Sequence, residues 1–65
     1  MGEIVREWFR SLYAGALDET RAAIANERLW QNGAATDAEI QGHGKNIKDL
    51  EEYAEVLQER LDALR

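Results

Sequence analysis

At 65 residues the chain holds one domain at most, and a core of that size rarely supplies more than about 3–5 kcal/mol without a crosslink, a metal or self-association. It has no cysteine, which excludes disulfides and thiolate metal sites and leaves the redox compartment open. A formal net charge of -5 argues against direct binding to nucleic acid or anionic lipid, because a phosphate surface would repel it.

Proline is absent, while Ala, Leu, Glu and Arg are plentiful, a balance that favours helix over strand. No apolar run approaches the ~18 residues that cross a bilayer. The opening MGEIVREW is charged where a secretion signal needs an apolar stretch, so a cytoplasmic protein with no membrane contact is expected.

From Glu3 to about Gln31, apolar residues recur at helical spacing: Val5, Phe9, Leu12, Ala16, Ala23 and Trp30, with Ile4, Trp8, Tyr13, Leu17 and Ile24 widening the stripe. This predicts helix 1 over about 3–31. Glu3 suits the positive end of the helix dipole, and Asn32-Gly33 predicts a left-handed cap at the other end. Gly15 is the weak point, since an interior glycine costs about 1 kcal/mol relative to alanine.

A turn over 32–36 leads to Thr36-Asp37-Ala38-Glu39, which has the spacing of a capping box. Helix 2 is therefore expected over about 37–64. Ile40, Ile47, Leu50, Ala54, Leu57, Leu61 and Leu64 fall on alternating three- and four-residue steps, and His43 takes the one polar place in the series. The flanking Gly42 and Gly44 are poor helix formers, but the phase passes through them unshifted, which favours an unbroken helix.

A connection this short joins antiparallel neighbours. The predicted fold is all-α, an antiparallel hairpin of two long helices, in which residues whose numbers add to about 70 face one another. That register sets Trp30 against Ile40, Glu27 against His43, Ala23 against Ile47, and Phe9 against Leu61. Trp8, Tyr13, Leu17 and Ile24 would be left partly wet, and exposed patches of that kind mark interfaces. A homodimer closing into a four-helix bundle is the expected remedy, with an unidentified protein partner as the rival.

Glu27 and His43, with Glu39 one turn before the histidine, are the residues closest to a chemical site. Helical di-metal sites repeat a Glu-x-x-His spacing on separate helices, whereas Glu39-x-x-x-His43 occurs once. The expectation is a polar seam pair that fixes register, with no catalytic residue, no cofactor and no metal.

Glu51, Glu52, Glu55, Glu59 and Asp62 form an acidic outer face on helix 2, relieved by Lys48. Solubility accounts for such a face, and docking onto a basic surface through Glu52, Glu55 and Glu59 is the alternative. Arg6, Arg10, Arg60 and Arg65 gather near the open end among Glu3, Glu7, Glu59 and Asp62, where salt bridges are expected. Size and style are similar to small acidic proteins of bacteria and their prophages, without a shared motif. Together these features predict a non-enzymatic protein–protein interaction module: an adaptor, regulator or assembly component, or alternatively an acidic inhibitor or nucleic-acid mimic.

Overall fold

A computed structural model describes residues 2–64. Two α-helices, α1 (Glu3–Asn32) and α2 (Asp37–Ala63), pack against each other as a hairpin. Both run unbroken through their glycines. The molecule is a rod of 51 × 14 × 11 Å with a radius of gyration of 15.2 Å, against about 11 Å for a compact domain of this length. Each helix is therefore covered on one side only.

The start of α2 follows the predicted chemistry with one displacement. Thr36 is extended and its hydroxyl accepts the Glu39 N–H at 3.2 Å. The Glu39 carboxylate in return accepts the N–H of Ala35 at 3.3 Å, one residue upstream of the donor in the usual box. This second bond ties the connection itself to the helix it precedes.

The left-handed cap expected at Gly33 is not formed. Gly33 has φ -92 and ψ 1, and no described glycine has positive φ. Instead α1 tightens through two right-handed bonds, Gly33 N–H to the Leu29 carbonyl and Ala34 N–H to the Gln31 carbonyl, both 3.2 Å. Those bonds satisfy terminal carbonyls that a left-handed residue would otherwise serve.

The buried core consists of Leu17 and Ile24 from α1 and Ile47 and Leu57 from α2, with Thr20 between them. The buried line on α1 is thus rolled away from the Val5–Leu12–Ala16–Ala23 line that spacing had favoured. Two corrections follow. Leu17 and Ile24, expected to stay partly wet, are 5% and 8% exposed, and Tyr13 is half-buried. Val5 and Leu12, expected in the seam, are exposed. The roll has a simple cause: the central seam positions then hold leucine and isoleucine rather than Ala16 and Ala23, and a buried Leu or Ile contributes about 1.5–3 kcal/mol. Thr20 meets the cost of burial by donating its hydroxyl to the Ala16 carbonyl at 2.7 Å.

Contacting pairs begin at the expected register beside the turn and run slightly late toward the open end, where Arg60 meets Tyr13 and Arg10 meets Leu64. Every Cα–Cβ bond leans toward the N-terminus of its own helix, so in an antiparallel pair the side chains that touch stand later in sequence than the residues level along the backbone.

A methyl group added at Gly15 or Gly42 would meet nothing within 4 Å, whereas at Gly44 it would lie 3.2 Å from Gln31 Nε2. Gly15→Ala and Gly42→Ala are each expected to raise stability by about 1 kcal/mol, and Gly44→Ala by clearly less. Urea denaturation followed by circular dichroism checks the order; an equal gain at all three positions would contradict it.

Candidate functional site

The polar positions of the seam cluster near the turn. His43 Nδ1 lies 2.6 Å from Glu27 Oε2, with the side chains only 28% and 14% exposed. Opposite a carboxylate, Nδ1 is the donor. Asn46 adds a second, longer bond to the same oxygen at 3.4 Å, and the Trp30 ring lies 6.1 Å from the imidazole. One helical turn onward, Gln31 Nε2 donates to the Ile40 carbonyl at 3.0 Å. Gly44 makes this reach possible, because a side chain one turn after Ile40 would crowd the approach to that carbonyl. Sequence reasoning paired Glu27 with His43 but missed Gln31; the glycine one turn beyond Ile40 was the available signal.

Glu39, grouped with His43 in the sequence, is engaged at the helix cap instead. Among the described residues no group of three or more His, Cys, Asp or Glu side chains is placed to hold a metal ion. No buried side-chain polar atom among them lacks a partner. The cluster is a closed set of hydrogen bonds across the hairpin.

The two sides of the hairpin differ. On one side, Arg28 faces Glu51 at 3.6 Å, and a shallow groove of about 310 Å³ has a floor of Leu17, Ile24 and Ala54 and a rim of Arg21, Glu55 and Gln58. The acidic stripe lies outward from this groove, with Glu52, Glu55 and Glu59 all exposed. On the opposite side Asn46 reaches Glu27. Asn46, Asp49, Tyr53, Val56 and Arg60 follow one another at alternating steps of three and four, so they form one stripe along that side of α2. The line Val5, Trp8, Leu12, Glu19, Ala23 and Trp30 runs beside it on the Glu27 side of α1. The large apolar members of both stripes are exposed, among them Trp8 by 60%, Leu12 by 51%, Trp30 by 57% and Tyr53 by 52%.

At the open end, Arg10 pairs with Glu7 and also donates to the Leu64 carbonyl at 3.2 Å. Among the described residues Arg60 joins no ion pair, contrary to expectation, and stands over the Tyr13 ring, 5.8 Å from its centroid, a cation–π arrangement. Arg65, assigned to the same cluster, lies outside the described residues.

No helix among the described residues is long and apolar enough to cross a membrane. No protein-family model matches the chain, and comparison with curated proteins and with solved structures gives no match.

The Glu27–His43 bond is sheltered enough to couple the helices. In a double-mutant cycle with Glu27→Ala and His43→Ala, a coupling of about 1–2 kcal/mol is expected. Purely additive losses in urea titrations would show that the pair is passive.

Proposed function

We propose that the protein is a non-enzymatic protein–protein interaction module, an adaptor, regulator or assembly component, that works as a homodimer built from two hairpins in a four-helix bundle. One observation carries the reading: among the described residues nine large apolar side chains are exposed and only four apolar ones are buried. A rod covered on one side has an incomplete core, and a second hairpin laid on the Trp8–Leu12–Val56 face would complete the core of both. Self-association of one patch gives a closed assembly.

The interface therefore differs from the one expected from spacing. Trp8 keeps its place in it, whereas Tyr13, Leu17 and Ile24 belong to the hairpin's own seam, and Val5, Leu12, Tyr53 and Val56 take their part.

A second reading, an acidic inhibitor or nucleic-acid mimic, draws on a different observation. Glu52, Glu55 and Glu59 are exposed, and none of them joins an ion pair among the described residues. Their reversal to lysine would abolish capture of a basic partner and leave the dimer intact.

Sedimentation equilibrium at micromolar concentration should give twice the chain mass for the wild type. Leu12→Glu, at an exposed position, should give a helical monomer or raise the dimer Kd at least tenfold. A wild-type chain that stays monomeric and fully helical would overturn the proposal.

A further inference from the structure

We infer that the two copies lie side by side with both turns at the same end, and that Trp30 of each is seated on the partner's Gly42. This deepens the homodimer reading above and rests on it.

The glycines inside the two helices differ in their surroundings. An added methyl at Gly44 would crowd Gln31, which accounts for that glycine, but at Gly15 or Gly42 it would meet nothing in the chain's own fold. Glycine in a helix interior is unfavourable relative to alanine, so nothing within one hairpin explains why these two positions lack a side chain. Close approach by another molecule does explain it. Both positions lie on the exposed apolar side. Gly42 stands four places before Asn46 and extends the Asn46–Tyr53–Val56 stripe of α2, while Gly15 falls three places after Leu12 and four before Glu19 on the α1 line.

Charge does not order the copies. Glu19, Asp49 and Arg60 are exposed on these lines in any face-to-face arrangement, and Arg60 is already held over Tyr13 of its own chain. Room does order them. If the two-fold axis runs along the rod, each α1 residue meets the partner's α2 residue that is level with it in its own hairpin. The bonds joining Glu27 to His43 and Asn46, and Arg10 to Leu64, fix those levels: Trp30 is level with Gly42, Gly15 with Val56, and Trp8 with Ala63. Across the interface each of these pairs sets a bulky side chain on a small one. Trp30 and Trp8, 57% and 60% exposed in the single hairpin, both gain cover, and an indole fills the gap at Gly42. If the axis crosses the rod instead, each helix covers its own counterpart run in reverse. Gly42 then meets the last turn of the partner's α2, where the stripe holds only Ala63, and the gap stays empty. Unfilled space forfeits contacts for the atoms that line it, so shape favours the turns together.

Two variants test the contact. Trp30→Ala empties the gap and Gly42→Leu fills it, and each should raise the dimer Kd at least tenfold in sedimentation equilibrium while circular dichroism stays helical. Mixed one to one, they should form a heterodimer with a Kd within about threefold of wild type, because one of its two contacts is native and the other sets the new alanine on the new leucine. A rescue that needs two different chains arises only between copies. The stability gain expected for Gly42→Ala belongs to the hairpin itself, which dilution below the dimer Kd isolates. A single spin label at Ala35→Cys, in the turn of a chain with no native cysteine, should report an intermolecular distance under about 25 Å, the separation of neighbouring helices plus the label arms. A distance near the 51 Å length of the rod, or a mixture as weak as either variant alone, would overturn the side-by-side arrangement. A monomeric wild type would overturn it together with the homodimer.

Discussion

The hairpin depends on a seam one side chain wide. Leu17 and Ile24 meet Ile47 and Leu57 across it, and no other apolar side chain among the described residues is buried to the same degree. Helices of 30 and 27 residues gain most of their stability from packing rather than propensity. The aliphatic contacts along that line hold the rest in place: the register, the cap bond from Glu39 back to Ala35, and the polar bonds near the turn.

Along this seam the chemistry changes from one end to the other. Toward the middle and open end it is aliphatic, flanked by Arg60 over Tyr13. Toward the turn it becomes polar, with Glu27 and His43 joined at 2.6 Å and Gln31 bonded to the Ile40 carbonyl. A polar bond in a partly sheltered seam contributes less than an aliphatic contact when formed, yet its loss leaves a donor or acceptor stranded. Such groups favour one register over its neighbours. A slide of one residue would separate Glu27 from His43 and place a side chain where Gly44 leaves room for Gln31.

The roll that buries Leu17 and Ile24 also decides what the outside offers. It turns Val5, Trp8 and Leu12 outward on the same side as Tyr53 and Val56, and leaves the opposite side to Arg21, Arg28, Glu51 and Glu55. The large exposed side chains Val5, Trp8, Leu12, Tyr53 and Val56 thus gather on one side of the rod, interspersed with Glu19, Asp49 and Arg60. Trp8 and Tyr53 are among them, and aromatic residues are the side chains that most often anchor contacts between proteins.

The sequence alone determined the two helices, their antiparallel course, the capping threonine and the Glu27–His43 pairing, because helical spacing and short-range hydrogen bonding are local and leave a periodic record. It did not determine which of two overlapping stripes on α1 would be buried. Val5–Leu12–Ala16–Ala23 and Tyr13–Leu17–Thr20–Ile24 have similar spacing, and only packing against Ile47 and Leu57 selected the second, where the larger side chains lie. The conformation of Gly33 was likewise decided in three dimensions, since the chain found a right-handed way to end α1 once Thr36 and Glu39 had fixed the start of α2. Periodicity names the residues that can share a face; the roll of one helix against another is settled by volume and fit, which no single helix contains.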